Sequence, residues 1–184
     1  MKILLASGSP RRKQLLTELG HSITVVKPDF DESQIRCADP AALVAALAEG
    51  KGRSVPCPED TMLVAADTVV VHNGAVLGKP ADEAEALAML RSLSGRTHEV
   101  FTGVYLQYRG RSRSFTDRAE VLFRTLTDAE ILAYIATGSP MDKAGSYGVQ
   151  DSGFVAEIKG SYYTVMGFPI ERFKEISMKM EKGN

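Results

Sequence analysis

Asp67 sits in Leu63-Val64-Ala65-Ala66-Asp67-Thr68-Val69-Val70-Val71, a run that is otherwise apolar but for the neighbouring threonine. A lone carboxylate in such a strand is costly to bury unless it is paired, hydrogen-bonded or bound to a metal. Two chemistries suit it. One is structural, an aspartate satisfied by backbone N–H groups or a lysine. The other is functional, a base that activates water or a ligand for a metal ion. A second cluster lies near the start, in Ser7-Gly8-Ser9-Pro10-Arg11-Arg12-Lys13. Ser9 is a good helix N-cap and Pro10 suits the first helical position. A helix N-terminus favours acidic side chains, yet this one gathers Arg11, Arg12 and Lys13. Backbone N–H groups and cations at one point read as a site for an anion, and phosphate fits well.

Weaker signals surround these two. Gly78-Lys79-Pro80 follows a predicted hairpin, and a tight turn there would bring Lys79 back toward Asp67, to pair with it or to hold a phosphate. The segment Ser139-Pro140-Met141-Asp142-Lys143-Ala144-Gly145-Ser146-Tyr147-Gly148-Val149-Gln150 mixes small residues with an Asp–Lys pair. Its glycines let backbone approach a ligand closely. The Gln150 amide, donor and acceptor side by side, matches the imide edge of uracil or thymine. On composition alone this is also an ordinary glycine loop with a local ion pair. Asp31 and Glu32 form an acidic pair suited to a divalent ion or simply to solvent. Lys51 ends a predicted helix, where a cation suits the dipole. His21, His72 and His98 are scattered beside turns and strand starts and receive no catalytic role.

The elements that must position these residues follow from caps and periodicity. A strand ending near Ala6 feeds a helix with Leu15, Leu16 and Leu19 on one side, stopped at Gly20. Ile23 to Val26 is a second strand, and Asp39-Pro40 opens a helix to Lys51. Met62 to Val71 is a buried strand turning at Asn73-Gly74 into Ala75 to Leu77. Asp82 with Glu85, and Thr127 with Glu130, are capping boxes for two further helices. His98 to Tyr108 and Arg113 to Arg124 are β-rich around Arg109-Gly110. Phe154 to Ile158 and Tyr162 to Met166 are expected to pair as strands around Lys159-Gly160. Phe168-Pro169 starts a last helix with Phe173 and Ile176 on its apolar side. Strands and helices mix without regular alternation, which predicts a mixed α/β (or α+β) sheet flanked by helices.

Composition narrows the class. The chain has 184 residues, 44% hydrophobic and 24% charged, with net charge -1. That suits one domain, or one domain with two lobes, spanning 1–184. No overall basic field exists to attract long nucleic acid. Cys37 and Cys57 suggest neither a zinc site nor a redox motif. No apolar run is long enough to span a membrane. P-loop, dinucleotide, zinc-protease and nucleophile-elbow motifs are absent, so phosphate handling here is of another kind.

Together the segments resemble the Maf family of nucleoside-triphosphate pyrophosphatases. The matching motifs are Leu5-Ala6-Ser7-Gly8-Ser9-Pro10-Arg11-Arg12, Ala66-Asp67-Thr68-Val69-Val70 and Gly78-Lys79-Pro80. They continue with Phe123-Arg124-Thr125-Leu126-Thr127, Asp142 to Gln150, Gly160-Ser161-Tyr162 and Val165-Met166-Gly167-Phe168-Pro169. They run in family order over nearly the whole chain. The resemblance implies hydrolysis of a nucleoside triphosphate to the monophosphate and pyrophosphate, with Mg²⁺ or Mn²⁺. It makes Asp67 the proton acceptor and Arg11, Thr68 and Gln150 the residues that set base preference, in the branch that prefers dTTP and UTP. Ser7, Ser9, Arg12, Lys51, Lys79 and Lys143 are then the substrate-binding candidates, and Glu32 with Asp67, on their chemistry alone, the candidate metal ligands. The implied fold is an elongated mixed sheet with two lobes and a central cleft, similar to inosine-triphosphate pyrophosphatases. A cytoplasmic homodimer is implied, as is a link to inhibition of septum formation. A pyrophosphatase for another nucleotide, or a nucleotide-binding division regulator, is the alternative. The chain departs from the family pattern at Gly52, Thr164 and Phe168, where Ala, Asn and Leu are common.

Overall fold

The computed structural model describes residues 1–183. In chain order its first elements are β1 (Lys2–Ala6), α1 (Pro10–Glu18), β2 (Ser22–Val26), α2 (Pro40–Arg53), β3 (Met62–His72) and β4 (Ala75–Leu77). They are followed by α3 (Glu83–Leu93), β5 (Thr97–Tyr108), β6 (Arg111–Phe123), α4 (Asp128–Ile135), β7 (Val155–Lys159), α5 (Tyr162–Met166) and α6 (Ile170–Glu181). The strands form a mixed seven-stranded sheet in the order β2-β1-β3-β5-β6-β7, with β4 paired to β3. β1 runs parallel to both β2 and β3, with Ala6 beside Val26 and Ala65. β4 and β7 pair antiparallel with β3 and β6. No helix among the described residues is long and apolar enough to cross a membrane.

The chain divides into two compact units. The first comprises Met1–Asp67, Thr102–Asp117 and Gly167–Asn184; the second comprises Thr68–Phe101 and Arg118–Met166. In the first unit, α1 begins as its sequence dictates. The Ser9 hydroxyl accepts from the Arg12 N–H, Pro10 follows, and Gly20 at φ 81° closes the C-terminus. Asp39 caps α2 by accepting from the N–H groups of Ala41 and Ala42. At the other end of α2, Lys51 and Arg53 lie in the last turn. This helix lies very close to β5. A Cβ on Gly52 would come within 2.2 Å of the Tyr105 ring, and one on Gly103 within 2.3 Å of the Val44 carbonyl oxygen. The departure at Gly52 therefore has a local cause, because the flat Tyr105 ring takes the space of an alanine methyl.

The second unit buries Val70, Leu90, Leu93, Val100, Val121, Phe123 and Ile135 in a common core. Phe123 is the centre of an aromatic group, edge-on to His98, Tyr147 and Phe154 at 4.7 to 5.8 Å between ring centroids. Thr127 and Glu130 complete the expected capping box of α4. In α3, Asp82 caps the Glu85 N–H, but the Glu85 carboxylate reaches the Ala81 N–H instead. One expectation fails. Tyr162 to Met166 is not a strand but the short helix α5, and β7 pairs with β6 alone. The Ser161 carbonyl accepts from the Thr164 and Val165 N–H groups, and its hydroxyl accepts from Tyr163. A serine cap thus overrides the β preference of Tyr-Tyr-Thr-Val.

Candidate active site

The chain leaves β1 through α1 to reach β2, then returns through α2 to β3 on the other flank of β1. The carboxyl end of β1, beside the middle of β3, therefore marks a topological switch point, where open α/β sheets bind ligands. In the first unit the residues singled out in the sequence collect there. Ser7 follows the last residue of β1, Ser9 caps α1, and Asp67 lies on β3 two residues beyond Ala65, the β3 partner of Ala6.

Asp67 is not unpaired. Its Oδ1 accepts from Lys51 Nζ at 2.5 Å, and the two side chains are only 14% and 12% exposed. The same ammonium lies 2.9 Å from Glu32 Oε1, on an exposed 3-10 turn capped by Asp31. Lys51 thus bridges two carboxylates, one nearly buried and one at the rim. The partner of Asp67 is therefore a lysine 16 residues earlier. The helix-dipole explanation for Lys51 was correct but incomplete. Lys79, expected near Asp67, is an exposed residue of the second unit.

Arg12 is committed to the protein itself. Its Nε donates to the Gly167 carbonyl at 2.9 Å, and its Nη1 donates to Ser7 Oγ at 3.0 Å and the Ala66 carbonyl at 2.9 Å. Ser7 Oγ also accepts from the Ser9 N–H. One guanidinium thus ties the end of β1, the start of α1, β3 and the turn before α6. Desolvation lowers the Arg12 pKa, while the charges of Asp67 and Glu32 oppose that fall and Arg11 adds to it. Arg11, Arg12, Glu32, Lys51 and Asp67 accordingly sense one another as a single electrostatic cluster. Gly8 has no steric reason for being glycine, since a Cβ there would meet open space.

The second unit holds its own polar cluster. Lys143, 8% exposed, spends all three ammonium donors, on the Ser139 carbonyl at 2.5 Å, Ser139 Oγ at 2.8 Å and Asp142 Oδ1 at 2.8 Å. The Gly145 N–H donates to the Gly78 carbonyl at 3.0 Å, which draws the turn carrying Lys79 to the Lys143–Gly148 segment. Tyr147 anchors that segment in the aromatic core, sharing a 2.8 Å hydrogen bond with His98 Nε2. Gln150 is exposed, two residues past the buried Gly148. Thr68 is half-buried on β3, directly after Asp67. Sequence reasoning missed Tyr134, Ser139 and Asp151, which surround Lys143 and Gly148. Burial pushes the Tyr134 phenol up to about 12, so it stays a donor at neutral pH.

Among the described residues no three histidines, cysteines or carboxylates gather around one point. Glu32 and Asp67 do converge on a single cation. One or two carboxylates, with water and phosphate oxygens completing the shell, is how Mg²⁺ is usually held beside phosphates. Glu32 and Asp67 are the donors that would hold a divalent ion beside an anionic substrate, although Lys51 Nζ occupies their point of convergence.

Residues 2–180 match the family described as Maf-like protein. The chain belongs to the Maf family. Among its Maf relatives, a dTTP/UTP pyrophosphatase of Halalkalibacterium halodurans is 48% identical over 173 residues, covering 92% of this chain and 91% of that protein. A dTTP/UTP pyrophosphatase of Bacillus cytotoxicus is 45% identical, covering 99% and 97%. The Maf fold here is also like that of a HAM1 protein from Coxiella burnetii, with a TM-score of 0.51 at 14% identity, covering 97% of this chain and 99% of that one. At that identity the likeness is one of fold alone.

Proposed function

We propose that this Maf protein hydrolyses dTTP and UTP to the monophosphate and pyrophosphate. The observation that carries the reading is the Lys51–Asp67 pair, set among Arg11, Arg12 and Glu32 where β1 ends beside the middle of β3. The names of the 45–48% identical relatives, matched over nearly their full length, support the substrate.

The steps fall to named groups. Lys51 holds Asp67 Oδ1, leaving Oδ2 to orient a water. That oxygen takes the water's proton as the new O–P bond forms at the α-phosphorus. The bond from the α-phosphorus to the bridging oxygen breaks, and pyrophosphate leaves with its electron pair. Arg11 and the α1 N-terminus bind the triphosphate electrostatically. Arg12 keeps Ser7 and Ser9 in place for that contact. Glu32 and Asp67 would hold a divalent cation, which would neutralise phosphate charge when bound. Positioning and electrostatics carry most of such a reaction, so one base among several cations is an adequate inventory. Arg11, Thr68 and Gln150 set base preference. A cytoplasmic homodimer goes with this reading through the family resemblance.

The test is pyrophosphate release from dTTP, UTP, CTP, ATP and GTP with Mg²⁺ present. The wild-type chain turns over dTTP and UTP fastest, and Asp67→Asn loses about 10²–10⁴-fold in kcat, the usual worth of a positioned base. A folded Asp67→Asn with undiminished turnover removes Asp67 as the base.

A further inference from the structure

Asp151 is gripped at both carboxylate oxygens. Tyr134 Oη donates to Oδ1 at 2.9 Å, and Ser139 Oγ donates to Oδ2 at 2.5 Å. The same Tyr134 oxygen accepts the Gly148 N–H at 3.0 Å. Ser139 Oγ in turn accepts from Lys143 Nζ, which lies 4.0 Å from Asp151 Oδ2. The backbone closes the same turn, with the Gly148 carbonyl accepting from Asp151 and Ser152. Both ends of the Gly148–Asp151 turn are therefore fixed to α4 through one phenol, and Gln150 is the residue held between them. The space beside the Gly148 Cα is taken up by this arrangement. A Cβ there would meet Asp151 Oδ1 at 2.4 Å, Gln150 Nε2 at 2.9 Å and Lys143 Cε at 3.0 Å. The Gln150 amide thus lies folded back over the turn that the clamp holds.

We infer that Tyr134, Ser139 and Asp151 are positioning residues for nucleotide selection, holding the 148–151 turn so that the Gln150 amide is presented in one orientation to a pyrimidine base. This rests on the reading of Gln150 as the base-selecting amide. A hydrogen-bonding amide discriminates only when its donor and acceptor are fixed, because a freely rotating one meets either edge of a base equally well. Neither Asp151 nor Tyr134 needs to touch the nucleotide. The carboxylate, 38% exposed, is held by neutral donors on both oxygens, with Lys143 reaching it through Ser139. An asparagine there keeps an acceptor for Tyr134 and a polar partner for Ser139, whereas alanine removes the group to which both hydroxyls donate.

The experiment measures kcat and KM for dTTP, UTP and CTP in the wild type and in Gln150→Ala, Asp151→Ala, Asp151→Asn, Tyr134→Phe and the Gln150→Ala/Asp151→Ala double variant. Asp151→Ala is expected to lower the ratio of kcat/KM for dTTP over CTP by about tenfold, the worth of one well-placed hydrogen bond. The loss comes chiefly through KM for dTTP, and Asp151→Asn restores it. Gln150→Ala loses the same discrimination, and in that background Asp151→Ala adds nothing. Should Asp151→Ala fail to fold, Tyr134→Phe, which removes a single oxygen, gives the same shift more weakly. Discrimination lost in Gln150→Ala but intact in Asp151→Ala and Tyr134→Phe overturns the clamp while leaving Gln150 as the reader. Discrimination intact in Gln150→Ala overturns the reading of Gln150 itself.

Discussion

Replacing Lys51 by methionine removes one ammonium and changes little else in shape. The structure sets the size of the effect. Asp67 is 14% exposed and its ammonium partner 12%, so this half of the bridge is close to a buried ion pair. Breaking a fully buried pair from one side costs about 3–5 kcal/mol, because the remaining charge is left uncompensated. The Glu32 half is 56% exposed and adds at most about 1 kcal/mol. Arg12 still lies within electrostatic reach of Asp67 and recovers part of the loss. The net expectation is a destabilisation of about 3 kcal/mol at neutral pH. The cycle with Asp67→Asn isolates the pair. In the asparagine background only the exposed Glu32 carboxylate loses its partner, so Lys51→Met costs only about 1 kcal/mol. Urea unfolding followed by far-UV circular dichroism gives the four stabilities, with unchanged m-values as the check on two-state behaviour. Equal costs in the two backgrounds would refute the reasoning, since Lys51 would then act through its packing and not through Asp67. The same variant loses about 10²–10³-fold in kcat, the worth of one preorganised electrostatic group.

Two further outcomes test the scaffold. Gly52→Ala destabilises by about 1–3 kcal/mol through overpacking against Tyr105, read as a lower Tm, and a neutral result would show that α2 can shift freely on β5. His98 is 2% exposed, and desolvation, aided by the charge of His72, lowers its pKa to about 4. The unfolded chain therefore binds a proton that the folded one refuses between about pH 6.5 and 4. Stability present above that window is lost as pH falls through it, by up to about 3 kcal/mol. Thermal unfolding of His98→Gln at pH 7, 5.5 and 4.5 should show a flatter fall than the wild type, and parallel curves would assign the acid sensitivity elsewhere.

Local signals in the sequence carried much of the architecture. Ser9-Pro10, Asp39-Pro40, Asn73-Gly74 and Thr127 with Glu130 each satisfy their own backbone within a few residues, so their elements stand where expected. Tyr162 to Met166 failed because a cap at Ser161 competes with side-chain propensity, and composition cannot weigh the two. In the candidate site, the isolation of Asp67 in an apolar strand was legible, but its partner was not. Lys51 already had a sufficient reason to end α2, and nothing local ties it to β3. That Ala66 and Gly167 hold Arg12 was not legible, because these acceptors are backbone carbonyls distant in sequence. Asp151 escaped notice for a similar reason, since only the fold brings Tyr134 and Ser139 to it.

The tie made by Arg12 bears on the order in which the molecule can be completed during synthesis. Its donors reach Ser7, Ala66 and Gly167, and the last bond spans 155 positions. A growing chain that has reached Asp67 already contains Arg12, Lys51 and Glu32, yet one acceptor for the guanidinium is still unmade. The loop between the α1 N-terminus and the Gly167 carbonyl is among the longest this chain can close, and long-range closures of that kind come late and slowly in folding. The residues that read as chemistry at the beginning of the sequence thus take up their final arrangement only when its end arrives. A fragment lacking α6 and the turn before it would retain Asp67 and its lysine, but not the carbonyl that finishes fixing Arg12.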